Sequence, residues 1–297
     1  MPGLTQAASA TAPLGHLSIR RGAVPQTLSS GVRVDRDTEA APGLLLFNHP
    51  KIGRFLARDG REIVVEPTTR GLGDLMPFVM SSGFAAICIQ RSLVLLHASA
   101  VAIKGNAIAF AGPRGAGKST LLGAFIAAGY TGIADDLSLI EPIAEQPPRI
   151  WPVPGYLRLW PNSARALGLD ERSAGPELSW SAKLQLSLDT KDSDGPWPLS
   201  AICLLADGET DFPSIEPLES TLAGAGLMRQ LFRPHYIHPL GQLRGLIPKI
   251  SRVIASTRVF RISRSALYDH LPATIDMVRR ALEVLRSNPD DDLSSLL

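Results

Sequence analysis

Hydrophobic and polar positions alternate in short runs through the first third of the chain. The runs HLSIRRG, LLLFNHP, FLAR and REIVVE fit strands, and Asp59-Gly60 between the last two favours a β-hairpin. Residues 74–91 are mostly apolar and predict a buried helix, too short to span a bilayer. We therefore predict a small α+β module over residues 16–92, after a disordered, small and polar N-terminus over residues 1–15.

The pattern changes at residue 93. Two β-rich runs around the turn Lys104-Gly105-Asn106 lead into a glycine-rich loop, and an amphipathic helix ended by Gly129 follows. The next run, GIADDLSLI, predicts a strand, and the order strand, loop, helix, strand indicates one α/β unit with parallel pairing. The Pro-rich stretch 145–155 favours an ordered loop or an edge strand. We predict that residues 93–297 form a second, α/β domain that closes with a C-terminal helix.

The glycine-rich loop satisfies the phosphate-binding pattern G-x-x-x-x-G-K-[ST] at every position. It reads Gly112-Pro113-Arg114-Gly115-Ala116-Gly117-Lys118-Ser119 and is followed by Thr120. Glycines let backbone N–H groups turn inward around the β-phosphate, the lysine reaches the β and γ oxygens, and the serine hydroxyl ligates Mg²⁺. A β-rich run before the loop and a helix after it supply the expected context. We therefore predict that residues 112–120 bind a nucleotide with Mg²⁺.

Asp135 and Asp136 follow about one helix after the loop. At the edge of an open α/β sheet, two adjacent carboxylates can divide the work of phosphoryl transfer. One can act as a base for an incoming hydroxyl, and the other can hold Mg²⁺. The alternative is a solvated pair that caps the following turn. His97, at the end of the run LVLLH, is by itself more typical of a structural polar residue than of a catalytic one.

The residues around these motifs resemble the HPr kinase/phosphorylase family, in particular its HPr-kinase-like branch, which includes enzymes of lasso-peptide-type gene clusters. The similarity lies in HASAVAIKGNAIAFAGPRGAGKST, in the AGY after the helix, and in the following ADD. It implies a P-loop kinase domain akin to phosphoenolpyruvate carboxykinase, behind a separate N-terminal domain. It also implies that Asp135 is the general base, that Asp136 lies near Mg²⁺, that His97 assists, and that Gly112–Thr120 hold ATP. An assembly of several copies is a further implication.

The chain departs from that family at a later signature. A stretch resembling Glu-Val-Arg-Gly-Leu-Gly is missing, and the corresponding region reads WPVPGYLRLWPNS. Phosphorolysis and HPr as a substrate are therefore not implied. Glu141 and Glu177 are candidates for a second metal carboxylate, although no motif surrounds them.

Composition excludes several classes of protein and partner. A formal net charge of +2 gives no global attraction to nucleic acid or membranes, and the start of the chain lacks a signal-peptide pattern. Two distant cysteines in apolar runs favour a reducing compartment, so we predict a cytoplasmic protein. The chain has no LSGGQ-like signature of an ABC ATPase and no N-K-x-D of a GTPase, and the D-x-x-G at Asp192 fits an accidental match.

The prediction is an ATP- and Mg²⁺-dependent kinase that phosphorylates a Ser of a protein or precursor peptide. A small-molecule P-loop kinase and a nucleotide-gated binding protein without turnover remain open alternatives. Basic side chains near the C-terminal helices read as solvated helix faces, or as a docking surface for an acidic peptide. They are Arg229, Arg233, Arg244, Lys249 and Arg252, and Arg229 or Arg233 could instead contact the transferring phosphate. Lys183 is a weaker candidate of the same kind.

Overall fold

The structure is a computed structural model, and it describes residues 15–68, 71–153, 155–176, 182–188, 196–206, 210, 212–265 and 267–287. The Cα atoms cluster into two compact units. The first contains residues up to 95 together with 232–249, and the second contains 96–231 and the chain from 250 onward. Segment 232–249, which the sequence pattern assigned to the second domain, thus groups with the first unit. All of the predicted disordered N-terminus except Gly15 lies outside the described residues.

The two units together form a mixed α/β protein. The strands are β1 Ser18–Arg21, β2 Val32–Asp35, β3 Thr38–Ala41, β4 Leu44–His49, β5 Gly53–Arg58, β6 Glu62–Pro67, β7 Val94–Leu96, β8 Ala98–Ile103, β9 Asn106–Ala111, β10 Thr131–Ala134, β11 Ser138–Ile143, β12 Gln146–Trp151, β13 Tyr156–Leu159, β14 Ser173–Pro176, β15 Leu184–Ser187, β16 Trp197–Leu205, β17 Ser214–Pro217 and β18 Arg258–Ser263. The α-helices are α1 Met76–Phe78, α2 Phe84–Gln90, α3 Lys118–Ala127, α4 Pro161–Ala166, α5 Ser220–Arg229, α6 Pro234–Ile237, α7 Leu243–Ser256 and α8 Leu271–Ser287. Among the described helices, none has the length and apolar character needed to cross a membrane.

The first unit is built on a six-stranded sheet in the order β1-β6-β5-β4-β3-β2. The predicted hairpin at Asp59-Gly60 is confirmed, since β5 and β6 pair antiparallel and both turn residues have positive φ (53° and 64°). The predicted helix is also present, but a π-helical turn, Val79–Gly83, separates α1 from α2. At Gly83 an added Cβ would lie 3.2 Å from the ring of Phe55 on β5, so glycine allows the helix to approach the sheet closely.

The second unit contains the glycine-rich loop. Its main sheet has the order β10-β8-β9-β16-β12-β11. The predicted parallel pairing of the strand in GIADDLSLI is wrong: β10 pairs antiparallel with β8, because β8 is the hairpin partner of β9 and occupies that side. β9 instead pairs parallel with β16, which pairs parallel with β18. The run GIADDLSLI is divided between β10 and β11, and Asp136 between them has a left-handed φ of 69°.

The Pro-rich stretch 145–155 also differs from its prediction. Most of it forms β12, which lies between β11 and β16 rather than at an edge or in a loop. Pro147 and Pro148 are tolerated because pairing with β16 begins only at Arg149, after both prolines.

The parallel strands determine where the loops of the second unit meet. Register pairs Ala111 at the end of β9 with Leu204, and Leu205 with Ile262 near the end of β18. The segments that follow β9, β16 and β18 therefore start at the same edge of the sheet. In open α/β sheets, this carboxyl edge is where ligands bind.

Candidate active site

The glycine-rich loop connects β9 to α3 at that edge. Gly115 and Gly117 have φ values of 93° and 79°, a left-handed conformation that glycine adopts without strain. At Gly112 an added Cβ would lie 3.1 Å from the carbonyl oxygen of Leu205 on β16. The loop thus takes the conformation for which its glycines are required, and α3 begins immediately after it at Lys118.

Lys118 is buried and folds back over the loop. Its Nζ donates to the carbonyl oxygens of Gly112 at 2.7 Å and Pro113 at 3.0 Å. Burial lowers the pKa of Lys118, although the negative charges of Asp136 and Asp135 oppose that effect. The ammonium group is therefore held against the loop by two neutral carbonyl acceptors. A phosphate oxygen is a stronger partner and could replace them.

Arg264, which directly follows β18, donates hydrogen bonds to the loop. The sequence pattern did not single it out. Its Nη2 donates to the carbonyl oxygens of Ala116 at 2.9 Å and Gly117 at 3.2 Å, and its Nη1 donates to that of Ser265. The side chain is buried, which lowers its pKa. A buried guanidinium directly behind the loop adds positive potential where an anion would lie. The sequence signal for it was its position as the last residue of the β-rich run TRVFRISR.

Asp135 follows β10 and is bonded on both carboxylate oxygens. Oδ1 accepts hydrogen bonds from the hydroxyls of Ser99 at 2.7 Å and Ser119 at 2.9 Å, and Oδ2 accepts one from the backbone N–H of Arg158 at 3.0 Å. Burial raises the pKa of Asp135 in spite of these three donors. The loop serine and the first aspartate of the pair are therefore in direct contact.

Asp136 faces different partners. Its Oδ1 lies 3.1 Å from His97 Nδ1, and its Oδ2 lies 3.5 Å from Arg158 Nη1. The same Nδ1 is 3.0 Å from the backbone oxygen of Asp136, so with two acceptors beside it we place the ring proton on Nδ1. Burial works to raise the pKa of Asp136, but His97 and Arg158 outweigh it and the pKa is lowered. The side chain of Asp136 is about 36% exposed, so an incoming group can reach it from solvent.

Aromatic and basic side chains lie beside the aspartate pair. On β13, Tyr156 and Arg158 alternate with the buried Leu157 and Leu159, and Trp160 follows the strand. The Nζ of Lys183 lies 5.5 Å from the centre of the Trp160 ring, and its charge acts on both Asp136 and Lys118. Lys183 therefore belongs to the same neighbourhood as the loop and the pair.

The other predicted candidates are distributed differently. Glu141 accepts a hydrogen bond from the indole N–H of Trp151 on β12, while Glu177 and Asp192 lie outside the described residues. The basic side chains near the C-terminal helices divide between the units, with Arg229 and Arg252 in the second. Within the described ranges, no group of three or more His, Cys, Asp or Glu side chains forms a metal-binding cluster.

Comparisons with known proteins add little to this geometry. No protein-family model matches the chain, and no curated protein matches it. Among solved structures, it is similar to the HPr(Ser) kinase/phosphatase from Coxiella burnetii, with 14% sequence identity and a TM-score of 0.34. The match covers 65% of this chain and 99% of the other. At that similarity, neither an activity nor a residue's role transfers from that protein to this chain.

Proposed function

We propose that the protein is an ATP-dependent kinase that transfers the γ-phosphate to a Ser hydroxyl of a protein or precursor peptide. The observation that carries the proposal is the hydrogen bond between Ser119 of the loop and Asp135 of the acidic pair. It supports one site in which a phosphate-binding loop and two carboxylates act together. A solvated cap pair would not be bonded to the loop, whereas Asp135 accepts a hydrogen bond from the hydroxyl of Ser119.

The residues present suit ATP and Mg²⁺. Loop amides, Lys118 and the amino end of α3 would hold the phosphates, while the Ser119 hydroxyl with a neighbouring carboxylate would hold the metal. When bound, ATP supplies the phosphoryl group and Mg²⁺ neutralises its developing charge. Lys118 and Arg264 contribute fixed positive charge on the loop side of the site.

The contacts suggest how the two carboxylates divide the work. Asp135 already accepts three hydrogen bonds, one of them from the proposed metal ligand Ser119, which favours it as the metal-side group. Asp136 is about 36% exposed and is oriented by His97, which favours it as the base that an acceptor hydroxyl meets from solvent. The family resemblance implies the opposite order, with Asp135 as base and Asp136 near the metal. That order stays a prediction, and the same variants test both.

The proposed reaction is a displacement at the γ-phosphorus of ATP. The Ser hydroxyl gives its proton to the carboxylate of Asp136, and its oxygen forms a bond to the γ-phosphorus. The bond from that phosphorus to the β–γ bridging oxygen breaks, and ADP leaves with the electron pair. His97 and Arg158 hold the carboxylate of Asp136 in place during the transfer.

The test combines binding with transfer. Wild-type chain and Lys118→Ala are incubated with γ-labelled ATP and with the small proteins and peptides encoded beside the gene. We expect label on a Ser of one product, loss of label when that Ser is changed to Ala, and no transfer by Lys118→Ala. Release of ADP without labelled product would favour a small-molecule kinase. Binding of ATP without ADP release would favour a nucleotide-gated binding protein, and either result would contradict the proposal.

A further inference from the structure

The turn after β18 is held at both ends. At its start, Arg264 donates to the carbonyl oxygens of Ala116 and Gly117 in the loop. At its end, the hydroxyl of Tyr268 lies 3.1 Å from that of Ser163 on α4, a buried side chain. Between them, the backbone N–H of Leu267 donates to the hydroxyl of Ser265 at 3.1 Å. Arg264 is therefore bonded to the loop, and Tyr268 is bonded to α4.

Leu267 and Tyr268 nevertheless present apolar surface to solvent. Leu267 is 61% exposed and Tyr268 is 39% exposed, and both are large hydrophobic residues. We call these two residues the 267–268 ledge. A fixed, exposed aromatic–aliphatic pair beside a polar ligand site is a surface on which a flat ring can stack.

Sheet topology places the ledge on a definite side of the loop. The loop follows β9. On one side of β9 lie β16 and then β18, and the ledge follows β18. On the other side lie β8 and then β10, and the aspartate pair follows β10. A side-chain contact supports this placement of the ledge. The Thr120 hydroxyl donates at 3.5 Å to the Ser163 hydroxyl, which also contacts Tyr268. Ser119, one residue earlier, contacts Asp135. A triphosphate with its terminal phosphate toward the aspartates would therefore extend its other end toward the ledge.

We propose that the ledge formed by Leu267 and Tyr268 is the stacking platform for the base of the nucleotide held by the loop. The proposal rests on the proposed nucleotide-binding function and adds the position of the base. Stacking uses the flat face that every base has, so the ledge binds adenine and guanine to similar extents. The Tyr268 hydroxyl positions the ring through Ser163.

The experiment compares ligands that share the phosphates and differ in the base. Dissociation constants of Mg²⁺-ATP, Mg²⁺-GTP and Mg²⁺-tripolyphosphate are measured by calorimetry on the full chain. The variants are Tyr268→Ala, Tyr268→Phe and Leu267→Ala, with Leu222→Ala on α5 as a control for loss of an exposed leucine. Circular dichroism and a thermal melt establish that each variant is folded.

We expect wild type to bind ATP and GTP more tightly than tripolyphosphate by roughly 5- to 150-fold, the equivalent of ~1–3 kcal/mol per stacked base. Tyr268→Ala should remove most of that difference and leave tripolyphosphate unchanged. Leu267→Ala should remove a smaller part, and Tyr268→Phe should keep most of it. Leu222→Ala should match wild type.

Three results would overturn the proposal, and they are distinguishable. If Tyr268→Ala weakens ATP and tripolyphosphate equally, Tyr268 acts on the loop and not on the base. If Tyr268→Ala weakens neither, the base lies elsewhere. If wild type fails to bind tripolyphosphate and ATP alike, the phosphate loop itself is inactive, and the proposed function fails together with the ledge.

Discussion

At the scale of single residues, Asp135 and Asp136 are neighbours in sequence with different surroundings. The left-handed backbone at Asp136 turns its side chain toward His97, while Asp135 points toward Ser119 and Ser99. Burial works to raise both pKa values. It prevails at Asp135, whose hydrogen-bond donors are neutral, but at Asp136 the neighbouring His97 and Arg158 outweigh it and lower the pKa. Environment, and not residue type, separates the proposed roles.

Substitution of each aspartate should therefore give a different kinetic defect. We expect Asp136→Asn to bind ATP nearly as wild type does, and to lower phosphotransfer by about 10²–10⁴, the usual worth of a positioned base. Asp135→Asn should instead raise the Mg²⁺ concentration needed for half-maximal rate. His97→Ala should lower the rate partially, because Asp136 loses one orienting partner.

The measurement is initial rate against Mg²⁺ concentration at saturating ATP, with one acceptor throughout. If Asp135→Asn loses transfer at every Mg²⁺ concentration while Asp136→Asn shows the metal defect, the order implied by the family resemblance is correct. Wild-type rates from both variants would contradict either order.

Two glycines of the loop provide a matched pair for testing Arg264. Gly115 and Gly117 share a left-handed φ, so an alanine at either position costs on the order of 1–2 kcal/mol in backbone strain. Only at Gly117 would the added Cβ meet an atom, 2.1 Å from Arg264 Nη2, whereas nothing lies within 4 Å at Gly115. The arginine tip could swing away, but it would lose its bonds to Ala116 and Gly117 while staying buried.

We expect Gly117→Ala to weaken ATP binding at least tenfold more than Gly115→Ala does. Calorimetric titration of both variants with Mg²⁺-ATP measures the difference, and thermal melts verify that both fold. Equal losses would mean that the contact with Arg264 does not support the loop.

At the scale of secondary structure elements, the sequence predicted turns and helix ends better than it predicted which strands pair. The hairpin at Asp59-Gly60, the loop between β9 and α3 and the end of α3 near Gly129 follow from backbone chemistry that a few adjacent residues determine. The neighbour of β10 depends on which distant strand occupies each side of β9, and no local pattern contains that information. Arg264 was missed for the same reason, since its role comes from carbonyls far away in sequence.

One ion pair in the first unit makes a pH-dependent contribution. Glu66 on β6 accepts a hydrogen bond from the backbone N–H of Val24 and another from Arg54 on β5, both at 2.6 Å. These donors, the Val24 amide first, lower the pKa of Glu66 from its ordinary value of 4.5. A lowered carboxyl pKa contributes stability that is present above 4.5 and is lost as the pH falls through the folded-state pKa.

We expect Glu66→Gln to lower stability at pH 7 by about 1 kcal/mol or less, because the side chain is partly exposed and solvent screens it. The difference from wild type should shrink as the pH falls toward 3. Urea unfolding curves at several pH values measure it. A difference that stays constant with pH would mean that packing, and not charge, explains the effect.

At the scale of the whole molecule, the ends of the chain carry little predicted structure. Residues 1–15 have no pattern able to bury surface, so we expect a chain that begins at His16 to retain phosphotransfer. The comparison is the transfer rate of full-length and shortened chains at equal concentration. A folded shortened chain that has lost transfer would show that the N-terminus takes part in substrate binding.

The two chain segments of the first unit are synthesised at different times. Residues 96–231 separate its two segments, so the ribosome completes the six-stranded sheet long before residues 232–249 exist. That late segment contributes Tyr236, whose ring is fully buried and whose hydroxyl contacts Asp35 on β2. Phe232 likewise bonds through its N–H to the carbonyl oxygen of Leu95. Until residues 232–249 have been synthesised, the sheet lacks this buried side chain, and the surface that Tyr236 covers stays open to chaperones and proteases.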